Sequence, residues 1–166
     1  MSLILPIILL LLISYAYGSW RGAPWVPSKT ADVERFIKLA QISDGKIVYD
    51  LGCGDGRILQ AVVLAGSDAR GFELSLLPYL LAKIRLFRNR KKCRIEYGDF
   101  WFKNLSEADV VYIFLMPKIY EKLVIKLKAE LKPGTKVVSY VWPLPGLEPV
   151  IIDKAEKHPL LYLYEM

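Results

Sequence analysis

The sequence predicts an α/β domain: a doubly wound, mostly parallel, seven-stranded sheet with an antiparallel hairpin at one edge, preceded by one N-terminal transmembrane helix. Three observations predict it. After residue 30, apolar runs of strand length alternate with helical periodicity five times, as parallel strands joined by helical crossovers do. The last two strand-like runs follow each other across a short turn, which suits an antiparallel edge hairpin. The first 20 residues hold no charged side chain, and 15 of them are hydrophobic. Hydrophobic residues make up 54% of the 166 residues and charged residues 24%, which excludes a disordered or low-complexity chain and favours one folded domain. The two cysteines are too few for a disulfide framework or a Cys-rich zinc site, and no metal site is expected.

The leader comes first. Residues 3–17 read LILPIILLLLISYAY, and with their uncharged flanks they reach about 30 Å as a helix, the hydrocarbon thickness of a bilayer. Pro6 falls in the first turns, where its missing N–H is tolerated. Tyr15, Tyr17 and Trp20 cluster at one end like interfacial aromatics, and Arg21 and Lys29 follow. The positive-inside rule then places the domain in the cytoplasm, behind a single-pass anchor over 1–20. The competing reading is a cleaved signal peptide, for which Ala16-x-Gly18 resembles a cleavage site, but no Lys or Arg precedes the apolar core.

A linker follows over 21–30, with two prolines in RGAPWVPS, and the domain occupies 31–166. Ser28 or Thr30 can cap the first domain helix, whose Val33, Phe36, Ile37 and Ala40 repeat at helical spacing. Strands are expected at 46–51, 68–74, 93–97, 109–115, 135–142, 149–153 and 160–165, and helices at 57–65, 75–90 and 117–131. The run 109–115 (DVVYIFL) is continuously apolar, as a strand buried on both faces should be. His158 reads as a turn residue between the last two strands.

Chemistry concentrates where strands end. Residues 50–56 (DLGCGDG) follow a strand and open a helix, so glycines can turn tightly and bring backbone N–H groups to a ligand. A dinucleotide fingerprint fails at its third glycine, because position 57 is Arg, and a phosphate loop would need Gly-Lys-Ser/Thr. Asp50 lies at the end of the first strand, Glu73 at the end of the second and Asp99 after the third. All three project at the carboxyl edge, where open α/β sheets bind ligands. Glu73 suits a ribose diol, Asp99 an adenine amino group with Phe100 against the ring, and Asp50 or the loop backbone an ammonium. A ligand with ribose, adenine and ammonium but no phosphate is S-adenosylmethionine.

The segments VYDLGCGDG, GFEL and GDF resemble motifs I, II and III of class I S-adenosylmethionine-dependent methyltransferases, whose fold is Rossmann-like. The resemblance implies a cofactor site built from Asp50, Gly52, Cys53, Gly54, Gly56, Glu73, Leu74, Asp99, Phe100 and Leu115, with S-adenosylhomocysteine as product. A narrower resemblance adds PWVPS at 24–28, KPGT at 132–135 and YLY at 162–164. These are similar to the protein-lysine methyltransferase family that includes the mitochondrial ATP-synthase c-subunit enzyme and an archaeal relative. It implies methyl transfer to a lysine ε-amine of a membrane-associated protein, with Pro27, Ser28, Met116 and Pro117 at the substrate mouth. Trp25, Tyr140 and Trp142 are candidates for a lysine pocket, since aromatic faces favour methylated cations. Relatives acting on amides or DNA bases carry Asn/Asp-Pro-Pro-Tyr where this chain has Leu115-Met116-Pro117, which argues against glutamine or adenine. A lipid or small-molecule methyltransferase and a non-catalytic scaffold are the alternative readings.

Residues 83–94 carry Lys83, Arg85, Arg88, Arg90, Lys91, Lys92 and Arg94 without an acid. They are expected to meet an anionic lipid surface beside the anchor. A nucleic-acid partner is not expected despite the basic pI of about 9.2, because the charge sits in one stretch without interleaved exposed aromatics.

Overall fold

The computed structural model describes residues 3–166; the first two residues of the expected anchor lie outside it. Seven strands, β1 (Ile47–Leu51), β2 (Asp68–Glu73), β3 (Cys93–Tyr97), β4 (Val110–Ile113), β5 (Lys136–Tyr140), β6 (Ile151–Asp153) and β7 (Leu161–Glu165), form one sheet in the order β3-β2-β1-β4-β5-β7-β6. β1 to β5 pair in parallel, whereas β7 runs antiparallel to β5 and β6 antiparallel to β7. The strand order reverses between β1 and β4, and there the carboxyl ends splay into a crevice.

Helices α2 (Thr30–Leu39), α3 (Arg57–Leu64) and α4 (Leu76–Arg85) cover one face of the sheet, and α5 (Tyr120–Glu130) covers the other. Side-chain alternation divides the core between them. Val48 of β1 packs with Phe36, Leu59, Val62 and Tyr112, while Tyr49 and Leu51 pack with Val111, Ile113, Leu123 and Leu127. β4 is buried throughout, so its sequence reads as an unbroken apolar run.

Several elements are shorter than the sequence predicts. α4 stops at Arg85 because Leu86 turns into the core, and Phe87–Asn89 forms a separate 3-10 turn. β5 ends at Tyr140, where Val141 adopts φ 77° and takes Trp142 out of the ladder. The expected cap of α2 is not made. Lys29 occupies the cap position without a side-chain bond, and Ser28 Oγ lies 3.3 Å from the Tyr112 hydroxyl instead.

The leader forms α1 (Ile4–Arg21), the one described helix long and apolar enough to cross a membrane. It extends one residue into the expected linker and is not separate from the domain. Ser14 Oγ accepts a hydrogen bond from the first backbone N–H of α4, at Leu76 (2.8 Å). Gly18, the one buried residue of α1, lies against Ser75 so closely that a Cβ would fall 2.2 Å from the serine oxygen. Ser14 thus satisfies a donor that the start of α4 would otherwise leave open.

Candidate active site

A cavity opens at the carboxyl edge between β1, β2 and β4, and the 21–28 segment roofs it. The glycine loop forms its floor. Gly54 has φ 54°, and a Cβ there would sit 2.8 Å from the Trp25 indole, so only glycine lets that ring lie over the loop. Gly56 (φ 77°) does different work: its missing Cβ admits Ala82 and Leu86, which brings α3 against α4. It does not line the cavity, contrary to its expected cofactor role.

Three buried carboxylates, Asp50, Asp55 and Glu73, line this space. Glu73 accepts backbone N–H bonds from Gly54 at one oxygen (2.8 Å) and from Ser75 at the other (2.7 Å). Each oxygen keeps a lone pair for a further donor. Burial raises the Glu73 pKa, and those backbone bonds oppose the rise. Asp50 is only 3% exposed, and its carboxylate lines the cavity. Burial, with Glu73 and then Asp55 nearby, pushes its pKa well above the carboxylate range. Asp55 goes the other way: burial opposes ionisation, but Arg57 and Arg85 outweigh it. Arg57 also donates to the Ser28 carbonyl (2.6 Å) and so ties the roof to the loop.

Asp99 is already engaged. Its Oδ1 accepts from the Trp101 N–H (3.1 Å), and its Oδ2 receives both Nε and Nη2 of Arg21 (3.2 and 2.7 Å). Cys53 lines the cavity with its thiol pKa raised by burial, so it forms wall and not a nucleophile.

The cavity brings together Trp25, Pro27, Ser28, Asp50, Gly52, Cys53, Gly54, Glu73, Leu74, Asp99, Phe100 and Leu115. Met116, Pro117, Tyr140 and Trp142 lie outside its wall. Met116 faces outward, and Pro117 opens a 3-10 turn. Tyr140 stands behind Phe114 (ring centroids 4.7 Å) and donates its hydroxyl to Asp32 (2.7 Å); Trp142 stacks on Phe114 from 6.3 Å. Asp32 also meets Arg35 and His158, so the histidine latches the turn before β7 onto α2. Among the lining residues that sequence reasoning missed are Arg21, Tyr112 and Phe114. Tyr112 and Phe114 read as core because they sit in an apolar run, and Arg21 reads as a topogenic charge.

The family model described as the ANTKMT methyltransferase domain matches residues 50–151, a span holding Asp50, Asp55, Glu73 and Asp99 of this cavity. The chain belongs to that family. This ANTKMT-family chain is 38% identical over 151 residues to the protein-lysine N-methyltransferase of Saccharolobus islandicus (strain REY15A), covering 85% of the chain and 92% of the relative. It is 37% identical over 134 residues to the adenine nucleotide translocase lysine N-methyltransferase of Mus musculus, covering 78% of the chain and 57% of the relative. Among solved structures, an RNA methyltransferase from Salinibacter ruber bound to S-adenosyl-L-homocysteine superposes with a TM-score of 0.80 at 29% identity, covering 84% and 93%.

The ANTKMT-family domain is an S-adenosylmethionine-dependent methyltransferase, and its cavity fits that cofactor. The cavity-lining carboxylate of Asp50 suits an ammonium, the free lone pairs of Glu73 suit a diol, and Phe100 supplies an apolar wall beside Asp99. When bound, S-adenosylmethionine supplies a methyl group activated by a sulfonium.

Proposed function

We propose that this enzyme methylates the ε-amine of a protein lysine, on a membrane-associated protein. The observation that carries the reading is the aromatic wall of the cavity: Trp25, Tyr112 and Phe114 face the space beside Asp50, with no carboxamide among the lining residues. A lysine must be neutral to act as nucleophile, and a dry aromatic passage lowers the pKa of an entering ammonium. Similarity to the archaeal protein-lysine enzyme over 92% of its length supports the assignment. The mouse relative, of which the chain spans 57%, is by its name a lysine methyltransferase of the adenine nucleotide translocase, which supports a membrane-associated target.

We read α1 as a single-pass anchor, with Arg21 and Lys29 on its domain side supporting a cytoplasmic domain. The basic stretch 83–94 supports contact with an anionic leaflet, and of its cations Arg85, Lys92 and Arg94 are engaged with Asp55, Asp44 and Glu96.

The test is transfer from labelled S-adenosylmethionine by the full chain in nanodiscs to a membrane-protein fraction, with the labelled residue read by mass spectrometry. Methyl-lysine is the expected product. Label confined to lipid or small molecules would establish the alternative class, and label confined to RNA would align the chain with its structural relative from Salinibacter ruber.

A further inference from the structure

α4 carries two apolar faces. One, through Pro78, Ala82 and Leu86, is buried against the sheet and α3. The other is a stripe of Leu77, Leu80, Leu81, Ile84 and Phe87 that faces outward, with Ile84 74% and Phe87 67% exposed. Spacings of three and four residues put these side chains on one side of the helix and the turn that follows it. A soluble surface rarely leaves so many large aliphatic and aromatic groups in one row.

We infer that this stripe is a membrane-contact face, lying in the headgroup and acyl boundary of the leaflet that holds α1. The inference rests on reading α1 as an anchor. Continuity supports it, because α4 begins where α1 docks: Ser14 caps its first N–H and Gly18 presses on Ser75. Both apolar surfaces therefore meet at one corner of the domain. Charge supports it too. Lys83, Arg88, Arg90 and Lys91 flank the stripe, and none has an acidic partner among the described residues. Arg90 lies over the Phe87 ring (5.4 Å), joining a cation to the apolar tip. A helix with one apolar edge and flanking cations is the form that lies in an anionic interface. The consequence is geometric: with α4 in the interface and α1 in the bilayer, the cavity mouth at the start of α4 stands at the membrane surface.

The two native thiols are buried, so introduced surface cysteines can be labelled selectively. Spin labels at Ile84→Cys, Phe87→Cys, Leu9→Cys on α1 and Ile125→Cys on α5 are compared in the full chain, in nanodiscs of phosphatidylcholine with phosphatidylglycerol. At positions 84 and 87, collisions with oxygen should exceed those with a water-soluble nickel complex several-fold, and position 125 should show the reverse. Replacing Lys83, Arg88 and Lys91 with Gln should shift positions 84 and 87 toward water. A deep reading at position 9 with aqueous readings at 84 and 87 overturns the contact face and leaves the anchor standing. Aqueous readings at all positions overturn both. Labels at 84 and 87 shielded from oxygen and nickel alike would mean a protein partner, such as a second copy, and would also overturn the inference.

Discussion

Arg21, the last residue of α1, sets its guanidinium on Asp99 with Nη2 2.7 Å and Nε 3.2 Å from the same carboxylate oxygen. The hydrophobic helix thus ends inside the cofactor site. Arg21 holds the Asp99 carboxylate and closes one wall of the cavity. Because the pair is partly exposed, its worth is near that of a surface-to-boundary ion pair. Arg21→Ala should weaken S-adenosylhomocysteine binding by roughly 3- to 10-fold, about 1 kcal/mol. Asp99→Ala should cost more, since it also removes the carboxylate proposed for the adenine amino group. Calorimetry on the two single variants and the double should show coupling; additive losses would mean that Arg21 acts elsewhere.

Glu73 does two jobs with one side chain. Its oxygens hold the Gly54 and Ser75 N–H groups and so fix the loop against the start of α4, while the remaining lone pairs face the cavity. Glu73→Ala leaves two buried donors unpaired, at a cost of about 2 kcal/mol, and should lower Tm by roughly 5 °C. Cofactor affinity should fall further than the thermal loss explains. Glu73→Gln, which can accept at only one oxygen, should recover part of the Tm and little of the affinity. Thermal unfolding and calorimetry on the same samples separate the two jobs.

Gly54 and Trp25 test whether the 21–28 roof belongs to the site. At φ 54° an alanine is strained, by about 1–2 kcal/mol, and its Cβ would also meet the indole at 2.8 Å. Gly54→Ala should therefore weaken cofactor binding and move the Trp25 fluorescence. Adding Trp25→Ala should relieve the clash and leave the strain, so the double variant should fold better than additivity predicts. A strictly additive pair would show that the roof does not rest on the loop.

The sheet was legible because its signals are local and repeated: DVVYIFL could only be a strand buried on both faces, and the Gly-rich loop marks the turn into α3. The three acids were legible because topology alone sends strand ends to one edge. Tyr112 and Phe114 were not, because an apolar strand residue looks the same whether its ring meets core or cavity. Tyr140 and Trp142 lie at and just beyond the end of β5, yet Phe114, not they, lines the cavity. In the sequence Arg21 reads as a topogenic charge, since nothing in sequence spacing ties position 21 to position 99.

Asp50 gives the site a pH signature whose sign follows from its burial. Its folded, cofactor-free pKa lies well above the ordinary carboxylate value near 3.9, so the native state holds a proton that the unfolded chain has lost. Stability of the free enzyme should accordingly fall as pH rises through the window from about 4 up to that raised value, and level off above it. Glu73, raised in the same direction, adds to this slope, while Asp32, lowered by Tyr140, Arg35 and His158 against its burial, opposes it and matters only at the acid end. An ammonium seated beside Asp50 reverses the local balance, because the ion pair favours the carboxylate. Binding of S-adenosylhomocysteine inside the window should therefore release a proton, and affinity should climb with pH by up to about tenfold per unit. Calorimetry in buffers of different ionisation enthalpy counts that proton directly. Asp50→Asn should abolish most of the release and flatten the affinity profile; proton release unchanged in that variant would place the cationic end of the cofactor away from Asp50.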